Sequence, residues 1–370
     1  MVELTLPGPA DVLAAAARIA AHATVTPVLH SRALDALSGA HLHFKAEHLQ
    51  RGGAFKFRGA CNAVWALDEA QARHGVVTHS SGNHGAAVAL GAQSRGIPCH
   101  VVVPEGAVAA KLANIARHGA TLWRCAPTQA AREAECARVQ RDTGAVLVHP
   151  YADARVIAGQ GTATLELLRQ AGTALDVVVV PAGGGGLASG TLLALQQAAP
   201  GCELVLAEPA GAADTARSLD AGRRLVEFVP DTVCDGLRGA LGEPNFALLH
   251  GKATAITVDD AATVAAMRLL WQVLKQVVEP SSATVLAAVL AQPARFAGRN
   301  VGLVLSGGNV DPRILSSIMV RELAREEKIV AIRLITSDRP GVLGEITTGL
   351  GRMGGNMVDV EHHRTVLKVP

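Results

Sequence analysis

Aromatic residues are scarce in this chain: Phe, Trp and Tyr make up 3% of 370 residues, with a single tyrosine. Net charge is scarce too, since 34 Lys and Arg nearly balance 32 Asp and Glu and leave +2. A nucleic-acid surface would show a basic stripe with interleaved aromatics, and an anionic membrane would call for a basic face; neither pattern is present. The six cysteines, Cys61, Cys99, Cys125, Cys136, Cys202 and Cys234, form no C-x-x-C pair, so they read as reduced core thiols and not as staples or zinc ligands. Between Met1 and Thr24 no basic segment leads into an apolar block, so no signal peptide is expected. The uncharged stretch Val177 to Cys202 is long enough to span a bilayer, but Pro181 and four consecutive glycines would spoil a membrane helix. These absences leave a cytoplasmic protein with no nucleic-acid or membrane partner.

What is present is an α/β pattern. The chain is 49% hydrophobic, and its length suits two packed domains with a short appendage. Strands are expected at His41–Ala46, Gly75–His79, His100–Val103, Thr121–Arg124, Val146–His149, Val177–Val180, Glu203–Ala207, Ala255–Val258 and Val301–Leu305. Helices are expected between them, among others at Asp11–Ala23, Phe57–Leu67, Asn83–Arg95, Thr128–Thr143, Ile157–Ala171, Leu187–Ala199 and Ala261–Val277. Continuous apolar strands such as VVVV belong to a parallel sheet covered on both faces. Two such series imply two α/β domains with a cleft between them.

Four glycine-containing loops follow strand-like segments. In Gly52-Gly53-Ala54-Phe55-Lys56-Phe57-Arg58-Gly59, a lysine at a helix start sits near positive dipole charge, which favours its neutral, nucleophilic amine. Alone it would be read as a solvated turn lysine. Ser80-Ser81-Gly82-Asn83-His84-Gly85 gathers hydroxyls, an amide and helix N–H groups into a natural cradle for a carboxylate, although ordinary N-capping would explain the serines. Gly183-Gly184-Gly185-Gly186 lets backbone N–H groups approach a phosphate closely. The run from Val177 to Glu208 also imitates a dinucleotide fold, and this local signal cannot separate NAD from another phosphate ligand. Ser306-Gly307-Gly308-Asn309 ends a strand where ligands collect, or is a plain turn. A nucleophilic lysine, a carboxylate cradle, a phosphate cradle and a strand-end serine together match the needs of pyridoxal phosphate.

Through EHLQRGGAFKFRGA, HSSGNHGAAVAL, VHPYADARVIAGQGT, VVPAGGGGLASG, AEPAGAAD, VCDGLRG, VEPSSA and LVLSGGNVD, the chain resembles the fold type II pyridoxal-phosphate enzymes. Within them it is similar to the serine racemase and serine/threonine dehydratase branch. The resemblance implies a two-domain, tryptophan synthase β-like α/β fold with the cofactor in the interdomain cleft. The large domain would comprise residues 1–70 and 153–325, and the small one 71–152. Lys56 would be the Schiff-base lysine, with Phe55 against the cofactor ring. Asn83 would bond the phenolic oxygen, Gly183 to Gly186 (Gly184 and Gly185 included) would wrap the phosphate, and Ser306 would bond the ring nitrogen. Ser80, Ser81, Asn83, His84 and Arg132 would contact the substrate, and Ser81 would be the acid/base on the face opposite Lys56. Glu208, Asp214 and the carbonyl of Ala212 would hold magnesium or calcium, a set of oxygens suited to those ions; two solvated loop acids are the plainer reading.

The implied reaction is β-elimination from L-serine or L-threonine to a 2-oxo acid and ammonia, with the cofactor phosphate as acid for the leaving hydroxyl. Serine racemisation and 3-hydroxyaspartate ammonia-lyase activity are the alternatives, since Ser81 and Ala54 depart from the plain threonine dehydratase pattern. A homodimer or homotetramer is expected. The tail, 329–370, resembles the first half of an ACT module through DRPGVLGEI and NMVDVEHHR. It reads as strand, helix, strand, with an amino-acid effector implied; half a module cannot complete its sheet alone. A catalytically inactive amino-acid-binding protein would keep the tail but lose Lys56 or the glycine loop. An NAD dehydrogenase would leave Lys56 and SGGN unexplained.

Overall fold

The computed structural model describes residues 6–337, 339–361 and 363. Its strands are β1 (Val28–Leu29), β2 (His41–Lys45), β3 (Val76–His79), β4 (Cys99–Pro104), β5 (Thr121–Cys125), β6 (Val146–Leu147), β7 (Val177–Pro181), β8 (Glu203–Pro209), β9 (Thr254–Val258) and β10 (Asn300–Val304). Six form one sheet in the order β1-β2-β10-β7-β8-β9, and four form another in the order β5-β4-β3-β6. Every pairing is parallel except β1 with β2. The α/β class expected from the apolar strands therefore holds, with one antiparallel edge strand added.

The larger sheet is buried on both faces, as parallel sheets are. Val177, Val179, Val205 and Leu303 pack with Met267, Leu270, Val285 and Val289 of the helices Asp260–Gln272 and Pro280–Ala291. On the other side, Val178, Val180, Leu204 and Leu206 pack with Leu165, Leu192, Leu195 and Leu249. A separate core joins Val76, Val101 and Val103 of the smaller sheet to Phe57, Ala60 and Val64 of the helix Lys56–Trp65.

That helix has an unusually close neighbour. A Cβ on Gly59 would fall 2.7 Å from Val156 O, and one on Gly159 would fall 2.6 Å from the Gly59 Cα. Two glycines thus let the Lys56–Trp65 helix touch the Ala154–Gln170 helix backbone to backbone, which fixes the height of Lys56.

The base of the same helix carries a wholly buried cation. Arg58 Nε and Nη2 donate to Glu47 at 2.7 and 2.8 Å, and Nη1 and Nη2 donate to Glu166 at 2.7 Å each. Lys45 Nζ also donates to Glu166, at 2.7 Å, and to Thr26 O. Two cations and two carboxylates balance here, and because Arg58, Lys45 and Glu47 are fully buried, removing one leaves buried charge uncompensated. Arg58→Met is therefore expected to destabilise the fold by about 3–5 kcal/mol, read as a lower denaturant midpoint. An unchanged midpoint would show that water replaces the guanidinium.

Several sequence expectations need correction. The first helix is Pro9–Ile19, with Gly8 at the N-cap; Asp11 lies inside it and accepts from Gly8 N at 2.7 Å. The helix from Asp260 ends at Gln272, and Lys275 adopts a positive φ of 61°, so it does not run to Val277. Cys125 and Cys202 are half-buried, not core residues. Among the described residues no helix is long and apolar enough to cross a membrane.

Contacts along the chain divide it into Met1–Glu322 and Leu323–Pro370. In the second unit the helix Val342–Arg352 forms, but neither expected strand does among the described residues of 330–336 and 356–363. A strand needs a partner for its N–H and C=O groups, and among the described residues neither segment joins a sheet. Asp338, His362 and the expected segment from Arg364 onward lie outside the described residues.

Candidate active site

Lys56 is the first residue of its helix, and Nζ donates to Pro150 O at 2.9 Å. Although part of its surface reaches solvent, the protein around the amine desolvates it and lowers its pKa to about 8, against the pull of Glu279. The amine is thus nearer to neutrality than an ordinary lysine, as a nucleophile or base requires. The Phe55 ring centroid lies 5.1 Å from Nζ, and Phe55 N donates to Ser306 O at 2.9 Å. That bond, with the bridge between Ala54 and Gly307, ties the lysine loop to the loop after β10.

Pro150 leads directly to the glycine loop. The Tyr151 ring sits where a Cβ on Gly184 would be, 2.4 Å away, and the Tyr151 Cα would be 3.1 Å from a Cβ on Gly186. Gly185 has a φ of 89° and caps the thirteen-residue helix Gly186–Ala198. Asn245 Nδ2 clamps this turn by donating to Tyr151 O at 2.9 Å and Gly184 O at 2.6 Å. The result is a turn of main-chain N–H groups at the positive end of a helix, a fit for a phosphate dianion.

Ser306 is 2% exposed and its Oγ lies 3.0 Å from Ser282 Oγ. Ser282 gives its hydrogen to Gly307 O at 2.7 Å and accepts from Gly307 N at 2.7 Å. With that hydrogen committed, Ser306 is the donor to Ser282, and a ring nitrogen placed here would have to draw the Ser306 hydrogen away from Ser282. No carboxylate replaces it, so a ring nitrogen here would accept a hydrogen bond without being held as a cation.

The helix Asn83–Arg95 begins with Gly82 at the N-cap and no side-chain cap. Ser80 Oγ accepts only from Gly82 N, at 3.3 Å, so N-capping does not explain Ser81. Asn83 Nδ2 donates to Glu279 at 3.1 Å. His84 is buried, and Nε2 donates to Val148 O at 3.1 Å; burial holds its pKa well below the usual value. Arg132 stands on the helix Gln129–Thr143, with Nε bonded to Thr128 O at 3.4 Å, and its charge is felt by His79 and Tyr151. His149 stacks edge-on with both, at 5.2 and 4.7 Å between centroids, and burial with His79 lowers it to about 4.

A family described as "Pyridoxal-phosphate dependent enzyme" matches residues 19–307. The chain belongs to that family. A beta-hydroxyaspartate dehydratase from Paracoccus denitrificans (strain Pd 1222) is 48% identical over 302 residues, which is 81% of this chain and 96% of the relative. The solved structure of maize serine racemase superposes with a TM-score of 0.81 at 41% identity, covering 87% of this chain and 100% of that one. A serine racemase from Dictyostelium discoideum gives 0.79 at 42% identity over 82% and 99%. A solved threonine deaminase gives 0.78 at 43% identity over the same shares. The family at hand thus contains both lyases and racemases, and its cofactor suits the cradle described above.

The enzyme also has two buried acids that form no ion pair among the described residues, although the charge of Arg217 reaches Asp214. Glu208 accepts from Thr215 N at 3.0 Å and Ala216 N at 2.9 Å, and Asp214 Oδ2 accepts from Leu241 N at 2.7 Å. Asp214 Oδ1 is buried with no partner among the described residues. Burial raises Glu208 to about 7 and Asp214 to about 6. Both acids and Ala212 are at most 1% exposed, so they are not a solvated loop. Among the described residues no three His, Cys, Asp or Glu side chains cluster as a metal site, so a cation here would need main-chain oxygens such as that of Ala212.

Sequence reasoning gave no role to Glu279, Ser282 or Asn245, and named Asn309 only as part of the loop after β10. Pro280 after Glu279 was the available signal, because proline in a first helical turn marks where side chains gather at a helix start.

Proposed function

We propose that this enzyme eliminates the β-hydroxyl of L-serine or L-threonine, yielding a 2-oxo acid and ammonia. The observation that carries the reading is Lys56, an amine with a pKa near 8 set between the glycine turn and the Asn83 helix. When bound, pyridoxal phosphate supplies an electron sink for the bond broken at Cα. Gly183 to Gly186 would hold its phosphate, Ser306 its ring nitrogen and Asn83 its phenolic oxygen. The substrate carboxylate would meet Ser80, Ser81 and the main-chain N–H groups of Asn83 and His84, since the His84 imidazole is engaged with Val148. Lys56 Nζ would then take the α-proton. The uncharged Ser306 keeps the sink moderate, which suits prompt loss of a β-leaving group.

A second reading, elimination from 3-hydroxyaspartate, is supported by the 48% identity to a beta-hydroxyaspartate dehydratase; Arg132 would meet the second carboxylate, with the opposing charge of Glu133 beside it. Glu208, Asp214 and the Ala212 carbonyl are proposed to bind magnesium or calcium, which would neutralise the orphaned Asp214 oxygen.

The test is ammonia release from L-serine, L-threonine and 3-hydroxyaspartate by the holoenzyme, with and without chelator. Turnover of serine or threonine is expected, with activity and melting temperature lowered by chelation and restored by magnesium or calcium. No ammonia from any of the three defeats the elimination reading. Indifference of both readouts to chelator and to added ion defeats the cation site.

A further inference from the structure

The amide of Asn83 is gripped at both ends. Nδ2 donates to the two Glu279 oxygens at 3.1 and 3.3 Å, while Oδ1 accepts from Asn309 Nδ2 at 3.0 Å. Asn309 Nδ2 also donates to Gly52 O at 2.7 Å, so it is itself held as a donor. An unconstrained asparagine can turn its amide over and exchange donor for acceptor. Here a turned amide would set oxygen against carboxylate and NH2 against NH2. Asn83 is therefore fixed with its nitrogen on the Glu279 side, and its second Nδ2 hydrogen is left for another acceptor.

Glu279 is fixed in turn by the main chain. Its N–H donates to Gly307 O at 3.0 Å, and Pro280 follows it as the first residue of its helix. A Cβ on Gly307 would lie 2.7 Å from Glu279 Oε1, so glycine there leaves room for the carboxylate. Desolvation raises this acid to about 7, a cost that an apolar residue of the same size would not incur. Retaining a carboxylate there calls for a use.

We propose that Glu279 is a positioning residue: its carboxylate locks the Asn83 amide so that Asn83 presents a hydrogen to the phenolic oxygen of the cofactor. The proposal rests on the reading that this cleft binds pyridoxal phosphate. Glu279 itself need not touch the cofactor or the substrate. Its effect passes through Asn83 and vanishes when Asn83 is removed.

The experiment titrates pyridoxal phosphate into the full chain and records the dissociation constant and the ratio of visible to near-ultraviolet absorbance. Glu279→Met removes the acceptor while conserving volume, and is expected to weaken binding about tenfold, as for one lost buried hydrogen bond. It also shifts the band ratio, because that ratio reports hydrogen bonding at the phenolic oxygen. Glu279→Gln keeps an acceptor and is expected to stay within about threefold of wild type. The double variant Glu279→Met/Asn83→Ala is expected to match Asn83→Ala alone. Wild-type values in Glu279→Met, equal losses in Gln and Met, or additive losses in the double variant would each overturn the proposal. If Glu279→Met does not fold, Glu279→Asp draws the carboxylate back from the Asn83 amide and must shift the ratio; an unchanged ratio overturns the proposal. A wild-type chain that takes up no cofactor defeats the functional reading itself, whereas wild-type binding with an indifferent Glu279→Met defeats only the role of Glu279.

Discussion

Lys56→Ala is expected to fold, to lack the visible absorbance of the wild-type holoenzyme, and to lose turnover by roughly 10²–10⁴-fold from the missing base alone. The reasoning starts from the desolvated amine. Its lowered pKa means that the fold bears a cost for the charged form, so removing the amine relieves a burden and leaves stability close to wild type. What is lost is chemistry. Among the described residues no other lysine bonds to Pro150 O, and His84 and His149 are held neutral by burial with their bonding nitrogens engaged to Val148 O and to the N–H groups of Tyr151 and Ala152. Absorbance spectra and an ammonia assay on the same preparation decide the matter. A variant that keeps the visible band would place the covalent attachment elsewhere.

Ser81→Ala is expected to separate two reactions. Racemisation needs a proton to leave one face of Cα and another to arrive on the opposite face, and one lysine serves one face. Ser81 precedes the N-cap Gly82, and the Asn83 helix has no side-chain cap, so capping does not occupy the Ser81 hydroxyl among the described residues. Interconversion of L- and D-serine should fall roughly 10²–10⁴-fold in the variant, the range for losing one acid or base. Release of 2-oxo acid from L-serine needs only the lysine face and should persist. Chiral chromatography beside an oxo-acid assay reads both at once. A wild-type enzyme that forms no D-serine would leave Ser81 with a binding role only, and a variant that racemises normally would remove the second-face assignment.

Much of this was legible in the sequence because the parts are local. Lys56 stood out by its flanking glycines, the tight turn before the Gly186 helix by four glycines after VVVV, and the strands by their apolar runs. The parts that escaped notice are joined over long separations. Asn83 and Glu279 are 196 positions apart, and Asn309 and Gly52 are 257 apart; no window along the chain brings such pairs together. The buried Arg58 escaped for the same reason, since its partners Glu47 and Glu166 lie on different elements. The tail strands failed in the opposite way. Their β-branched residues favour extended backbone, but strand formation is decided by a neighbour's hydrogen bonds and not by propensity.

The four glycines would ordinarily suggest a loose, adaptable loop. Their surroundings say otherwise: Tyr151 fills the space beside Gly184 and Gly186, Leu237 stands 3.0 Å from a Cβ on Gly183, and Asn245 and Leu241 crowd Gly185. Glycine is demanded there by neighbours as much as by any anion. The turn is therefore preorganised, held open by the protein's own packing, and a phosphate entering it would bear little of the ordering entropy that a flexible loop exacts on binding.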